Sequence, residues 1–357
     1  MTLDAAGGVW RYAMDLASGL RSLGIETVFA CFGPPPSAEQ ADEAEAIGRL
    51  IVHDAPLDWM VENEAALAAV PQIIADTALR EKVDLVHLNL PSQAAGFDAP
   101  LPVVVVAHSC VCTWFQGVRS QPVPDSWEWQ LALNRQGFYR ADAVLMPSRS
   151  HAALSRKVYG PIDRLHIVYN ATQLQPKRRA KADYVFAAGR WWDEGKNGAI
   201  LNAAAPDLDW PVLTAGATQG PNGQHVTMDK VRHRGELSHA ETMTLMGDAA
   251  IVVSPSVYEP FGLAALEAAR SAGALVLADI PTYRELWDGV ALFADPHDPA
   301  AFAAAINRLS RDPVLREQMG REALTRSRKF TLEAQAWTVS AIYDSLRART
   351  DTLTAAE

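Results

Sequence analysis

Two acidic residues stand eight positions apart in the run Ser254-Pro255-Ser256-Val257-Tyr258-Glu259-Pro260-Phe261-Gly262-Leu263-Ala264-Ala265-Leu266-Glu267-Ala268. The run begins where a buried strand should end, and Pro260 suits the first position of a following helix. On that reading Glu259 precedes the helix and Glu267 lies about two turns inside it. A rise of 1.5 Å per residue then separates them by roughly 12 Å along the axis. Carboxylates that far apart share neither a proton nor a small metal ion. They can grip hydroxyls at two ends of one elongated ligand, such as the sugar and the ribose of a nucleotide-sugar. The same spacing also fits plainer roles, with Glu259 favourable beside a helix N-terminus and Glu267 solvated. Phe261 and Leu263 read as packing residues.

A basic pair occupies Tyr184-Val185-Phe186-Ala187-Ala188-Gly189-Arg190-Trp191-Trp192-Asp193-Glu194-Gly195-Lys196-Asn197. A strand ends at Gly189, Arg190 follows, and Lys196 sits near the start of the next helix. This is not a Walker A loop: five residues rather than four separate Gly189 from Gly195, and Asn197 stands where Ser or Thr would hold magnesium. An Arg and a Lys beside a helix N-terminus still suit a pyrophosphate; the alternative is salt bridging with Asp193 and Glu194. Gly7-Gly8 before a helix either lets a diphosphate approach the backbone or marks a tight turn. It is not the dinucleotide fingerprint, because Val9-Trp10-Arg11-Tyr12 supplies no further glycine. His108 ends the run Val103 to Ala107, a strand-end position open to a ligand or to a structural histidine. Asp207-Leu208-Asp209 precedes Trp210-Pro211 at the amino end of a strand, which argues against a metal site. Cys110-Val111-Cys112 lacks a second cysteine pair, and His239-Ala240-Glu241 lacks the Pro-Cys-x-x-Cys partner of a zinc deaminase. Neither His-Glu-x-x-His nor Gly-x-Ser-x-Gly occurs.

Short apolar runs that alternate with amphipathic stretches must position these residues. Strand-like runs read Glu26–Cys31, Leu50–His53, Asp84–Asn89, Val103–His108, Ala143–Met146 and His166–Tyr169. After the break Pro176-Lys177-Arg178-Arg179-Ala180-Lys181 the pattern restarts with Tyr184–Ala188, Val212–Ala215, Ile251–Ser254, Ala274–Ala278 and Ala291–Ala294. Unbroken Val/Ile/Leu/Ala strands indicate parallel sheets covered on both faces, and the alternation predicts doubly wound α/β domains. We expect an N-terminal domain over 1–175, a second over 176–330, and a C-terminal helix over Thr331 to Leu346 that crosses back to the first. Trp337 and Tyr343 would anchor that helix, and the tail after Arg349 should fray. Both sheets would aim the carboxyl ends of their strands at a cleft between the domains. Gly7-Gly8 come so soon after Met1 that the first strand is expected to be truncated or missing.

Composition bounds the partners. The chain has 357 residues, 49% hydrophobic and 21% charged, which is ordinary globular usage. No apolar stretch approaches the ~20 residues of a membrane span, and no signal peptide is evident. Three cysteines form no disulfide framework, so a cytoplasmic location is expected. The net charge of −10 argues against nucleic acid. It divides as −7 up to Asn170 and −3 beyond, placing the basic residues disproportionately in the second half. A first half so acidic predicts at most weak peripheral contact with anionic membranes.

Gly7-Gly8, His108, Ser148 after Asp142-Ala143-Val144-Leu145-Met146-Pro147, Arg190 with Lys196, and Glu259-x7-Glu267 together resemble glycosyltransferase family 4. The order is right and nearly the whole chain is covered. The resemblance implies a retaining enzyme of GT-B architecture, with two facing Rossmann-like domains and a deep inter-domain cleft. The first domain would take the acceptor and the second a nucleotide-sugar, a UDP- or GDP-sugar. Arg190 and Lys196 would bind the diphosphate, Glu267 the ribose hydroxyls and Glu259 the sugar hydroxyls. Backbone groups around Arg234-Gly235-Glu236-Leu237 would read the base, and Phe261-Gly262-Leu263 would offer N–H groups near sugar or phosphate. Gly7 and Gly8 would approach the diphosphate and His108 would line the reacting centre. No metal or other cofactor is implied. Trp10, Arg11, Trp114 and Phe115 form either an aromatic acceptor wall or core, and the acceptor is a hydroxyl on a saccharide, small molecule or lipid-linked group. Alternatives are a GT-B sugar-nucleotide epimerase and an inactive sugar-nucleotide-binding protein. One departure from relatives is Asp279-Ile280-Pro281-Thr282-Tyr283-Arg284-Glu285, where a Gly-Gly turn usually stands; Glu285 is kept.

Overall fold

Val103–Val106 are all buried, and their side chains alternate between two apolar clusters. Val103 and Val105 pack with Val144 and Met146, while Val104 and Val106 pack with Leu145, Tyr12, Leu16 and Leu20. A strand buried on both faces needs covering layers on both sides, and burial of each such valine contributes ~1.5–3 kcal/mol. The computed structural model describes residues 1–5, 7–174, 180–220 and 223–354, with side chains to residue 349.

The chain divides into two units, Met1–Ala171 with the segment from Thr331, and Thr172–Phe330. Of the expected linker, 175–179 lies outside the described residues. Unit 1 contains β1 (Thr2–Leu3), β2 (Val28–Cys31), β3 (Arg49–Val52), β4 (Val86–Leu88), β5 (Val103–Val106), β6 (Ala143–Met146) and β7 (Leu165–Ile167). They form two parallel sheets, β3-β2-β1 and β4-β5-β6-β7. The first strand, expected to be truncated or missing, is present as two buried residues paired to Ala30 and Cys31. Between β1 and β4 the connection is made by one residue pair, Thr2 and Asn89. The Asn89 backbone N–H donates to Thr2 Oγ1 (2.9 Å), and Asn89 Nδ2 donates to Thr2 O (2.6 Å). The spatial order is that of a Rossmann sheet, with the reversal of strand order at β1/β4.

The first helix, Gly8–Arg21, buries Tyr12, Leu16 and Leu20 as its periodicity requires. It packs against the C-terminal helix Leu332–Thr354, close enough that a Cβ on Gly19 would stand 2.9 Å from that of Ala336. That helix is anchored by Ala336, Val339, Tyr343 and Leu346, a 3–4 spacing that makes one stripe. Trp337 was expected as an anchor but is 65% exposed, because one residue beyond Ala336 turns it about 100° off the stripe. The helix also continues five residues past Arg349, where a frayed tail was expected; 355–357 lie outside the described residues.

Unit 2 contains β8 (Ala182–Ala188), β9 (Val212–Ala215), β10 (Arg232–His233), β11 (Ala249–Ser254), β12 (Ala274–Ala278) and β13 (Leu292–Ala294). They form one parallel sheet in the order β10-β9-β8-β11-β12-β13. Strand order reverses at β8/β11, so ligand-binding loops are expected at the carboxyl ends of those two strands. β10 escaped the sequence reading because two residues at a sheet edge carry no periodicity. Among the described residues no helix is long and apolar enough to cross a membrane.

Candidate active site

The loops that leave β8 and β11 carry the four charged residues singled out above. After β8, Gly189 N–H donates to Ala215 O (3.1 Å) and the chain turns through Arg190. The Arg190 guanidinium lies 5.5 Å over the Trp192 ring and 3.9 Å from Asp193 Oδ2, and its side chain is half exposed. Asp193 also accepts from Gly195 N (2.9 Å), which starts a single 3₁₀ turn, Glu194–Lys196. Asn197 then sits in the left-handed region (φ 55°) and starts the helix Gly198–Ala204. Lys196 Nζ donates to Glu259 Oε1 at 2.5 Å, with both side chains mostly covered. The expected competition with Asp193 and Glu194 is therefore divided: Asp193 serves Arg190, and Lys196 reaches across to the other loop.

That second loop is pinned to the first by a backbone bond and by the Asn197 side chain. Val257 N–H donates to Gly195 O (3.0 Å), and Asn197 Nδ2 donates to Pro255 O (3.1 Å) and Pro296 O (2.8 Å). The helix after Glu259 begins at Leu263, not at Pro260 as expected. The reason is Gly262, whose φ of 88° is left-handed and interrupts the turn; a Cβ there would stand 2.7 Å from the Tyr283 ring. Glu267 consequently lies just over one turn inside the helix rather than two. It is buried, with Oε1 3.6 Å from His239 Nε2. Phe261 is buried edge-to-face against Phe330 (5.6 Å), and Tyr258 is buried as well. Behind the loop, Tyr283 Oη and Ser254 Oγ lie 2.5 Å apart; burial and then the nearby Glu259 carboxylate push the phenol well above its ordinary range.

At the β9 edge, Arg234 N–H donates to Thr214 O (2.8 Å) and Gly216 N–H to Gly235 O (2.8 Å). Arg234 is exposed and Leu237 half-buried. Gly216 has φ 118°, and a Cβ there would stand 2.0 Å from Gly189 O, so two loop backbones touch at that point. Asp279 is clasped by Arg284 (2.6 and 2.7 Å), whose guanidinium also covers Phe293 at 3.9 Å. Asp209 is held by Arg311 at 2.7 and 3.1 Å.

In unit 1, Gly7 (φ 131°) caps the first helix and Gly8 is its first residue. His108 follows β5, partly buried, with Nε2 2.9 Å from Asn89 Oδ1 and its ring edge-to-face on Tyr12 (4.4 Å). Tyr12 Oη in turn faces His87 Nε2 (3.4 Å), and His87 Nδ1 meets Tyr343 Oη (2.6 Å) on the C-terminal helix. Burial, and secondarily His151, lower His108 to about 3; burial lowers His151 to about 4. Both imidazoles are neutral at pH 7. Ser148 is fully buried and accepts from His151 N (3.0 Å), capping the helix Arg149–Tyr159.

Of the four residues weighed for an acceptor wall, Trp10 and Arg11 share Glu43, and Trp114 and Phe115 touch each other. Trp10 is buried with Leu3, Met14 and Phe29, donating to Glu43 (2.9 Å), and Arg11 pairs with Glu43 (2.6 Å) and Asp15 (3.0 Å). Trp114 and Phe115 are edge-to-face at 5.3 Å, with Arg119 5.1 Å over each ring. A surface cavity of 590 Å³ lined by Arg135, Tyr139, Tyr159, Asp163 and Arg164 contains none of the candidate residues. Asn89, Asn197, Gly216 and Tyr283 were missed. Only Asn89 left a signal, as a lone amide inside Val86-His87-Leu88-Asn89-Leu90.

Two family profiles match the chain, "Glycosyltransferase Family 4" over residues 6–175 and "Glycosyl transferases group 1" over 224–326. Glycogen synthase of Mycobacterium tuberculosis is 32% identical over 364 residues, covering 90% of this chain and 86% of its own. Sucrose-phosphate synthase from Thermosynechococcus elongatus superposes with a TM-score of 0.81 at 20% identity, over 98% of this chain and 96% of its own. Anabaena HepE, solved with UDP and glucose, gives 0.76 at 17% identity over 97% and 100%. Two Rossmann-like units with these likenesses define a glycosyltransferase of GT-B fold. The chain belongs to glycosyltransferase family 4.

Proposed function

We propose that the chain is a retaining glycosyltransferase that moves a sugar from a UDP- or GDP-sugar to a hydroxyl acceptor without a metal. The observation that carries this reading is the convergence of Arg190, Lys196 and Glu259 on the loops that leave the two central strands of unit 2. Arg190 and Lys196 bind the donor diphosphate and neutralise charge on the leaving group. Glu259 holds Lys196 through one carboxylate oxygen and accepts from sugar hydroxyls. Glu267 accepts from ribose hydroxyls, backbone groups from Arg234 to Leu237 meet the base, and N–H groups at Phe261-Gly262-Leu263 face sugar or phosphate. Gly7 and Gly8 allow close backbone approach to the diphosphate, and His108 lines the reacting centre.

The bond from the anomeric carbon to the diphosphate oxygen breaks first, leaving an ion-pair-like state. The acceptor oxygen bonds to the same face, and its proton passes to the leaving phosphate oxygen. Configuration is retained, and the enzyme contributes orientation and charge stabilisation. A thermal-shift screen of UDP-, GDP- and ADP-sugars tests the reading. A donor at 100 times its Kd should stabilise the protein by ~2.7 kcal/mol, and mass spectrometry with an acceptor panel should show a glycosylated product. Epimerised donor without an acceptor, or binding with no turnover, would overturn the transferase reading.

A further inference from the structure

His108 is held by a side chain that helps join the two halves of the unit 1 sheet, and the geometry of that side chain sets the protonation of the imidazole. Asn89 Nδ2 lies 2.6 Å from Thr2 O. A carbonyl oxygen only accepts, so the atom facing it is the amide NH₂, and Oδ1 is turned toward His108. Oδ1 lies 2.9 Å from His108 Nε2, and an amide oxygen also only accepts. Nε2 therefore carries the proton and Nδ1 keeps its lone pair. Asn89 cannot flip without setting oxygen against oxygen at Thr2. Its backbone N–H is engaged too, on Thr2 Oγ1 (2.9 Å), whose own proton goes to Gln93 Oε1 (2.6 Å). Asn89 is buried, and the Tyr12 ring edge-to-face at 4.4 Å fixes the plane of the imidazole. His108 Nδ1 has no hydrogen-bond partner among the described residues. The groups that face His108 are Asn89, Tyr12 and His151, with His87 beyond Tyr12. None is an acid, so nothing there favours an imidazolium.

We propose that Asn89 is a positioning residue for the transfer reaction: it fixes His108 as the Nε2–H tautomer and so presents Nδ1 as a hydrogen-bond acceptor for a substrate hydroxyl. This rests on the function proposed above. It goes further in two respects. His108 acts as an acceptor and not as a proton donor, and its lone pair repels phosphate or carboxylate oxygens. The group it meets on the substrate is an uncharged hydroxyl.

The test is long-range ¹H–¹⁵N NMR on histidine-labelled enzyme, with the His108 signals identified by their loss in His108→Gln. Expected is a single Nε2–H tautomer from pH 5 to 8 in the unaltered protein. Asn89→Leu, similar in size, should give mixed tautomers and lower kcat about 10- to 100-fold, with donor KM changed less than about threefold. Made in His108→Gln, the same change should cost kcat less than about threefold, because Asn89 acts through His108. A merely structural Asn89 would lower kcat by the same factor in both backgrounds, and that outcome overturns the proposal. An Nδ1–H tautomer or an imidazolium at pH 7 in the unaltered protein overturns the proposal, even if Asn89→Leu fails to fold. So does an unchanged tautomer in Asn89→Leu. Calorimetry with UDP- and GDP-sugars reads the other premise separately: no binding would remove the donor assignment and with it any substrate for Nδ1, whatever the tautomer.

Discussion

Each unit reverses its strand order once, at β1/β4 in unit 1 and at β8/β11 in unit 2, and the two places are furnished in opposite ways. At β8/β11 the loops carry formal charges: Arg190 half exposed, Lys196 and Glu259 paired at 2.5 Å, Glu267 beside His239. At β1/β4 and the adjoining end of β5 stand an amide, a hydroxyl and imidazoles that burial keeps neutral. The sheets differ correspondingly. Unit 2 runs through six strands without a break, whereas unit 1 is bridged at its centre by Asn89. On the proposed function, the same topology serves an anion in one unit and an uncharged hydroxyl in the other. Paired charges can bind a diphosphate because each already has a partner against desolvation. Neutral acceptors can be sunk deeper because no ion has to leave water.

The largest expected effect comes from breaking the charged side. Lys196→Ala or Glu259→Ala should lower kcat for transfer by about 10²–10³-fold, since each also strands its partner's charge. Activity within about threefold of the parent in either would sink the assignment. The neutral side predicts an acid limit. His108 and His151 have folded values of about 3 and 4, below the ordinary 6.5, so the unfolded chain binds more protons between those limits. Their contribution is fully present above about pH 6.5 and is lost as pH falls toward 4, by about 1.4 kcal/mol per pH unit for each. Denaturant unfolding at pH 7 and 5 should show the difference, smaller in His151→Gln; equal stability at both would contradict the neutral assignment. Gly216→Ala should cost about 2–4 kcal/mol by pushing on Gly189 O from a left-handed backbone, read as a fall in melting temperature. The smallest effects compare two aromatics of the C-terminal helix. Tyr343→Phe, which removes the hydroxyl on His87 Nδ1, should cost about 1 kcal/mol, and exposed Trp337→Ala less than about 0.5. A reversed order would mean the helix is seated differently.

Much of this was legible from residue order. The unbroken runs 103–106, 143–146 and 274–278 announced strands covered on both faces, and they are such strands. Chemistry at strand ends also singled out Arg190, Lys196, Glu259, Glu267 and His108 as candidates with plainer roles left open, and the family resemblance is what turned them toward a donor site. The helix start after Glu259 was misplaced because Pro260 is a local signal. Gly262 overrides it only once Tyr283, twenty-one residues on, occupies the space a side chain would need.

Sequence by itself determined the elements, their alternation and which side chains at their ends carry charge or an imidazole. These depend on periodicity and on the chemistry of single residues. Tertiary structure alone decided the pairings: Lys196 with Glu259 across 63 positions, Asn89 with Thr2 across 87, His87 with Tyr343 across 256. Burial likewise settled the charge states, since an imidazole's pKa is set by the water it loses, and no spacing rule records that.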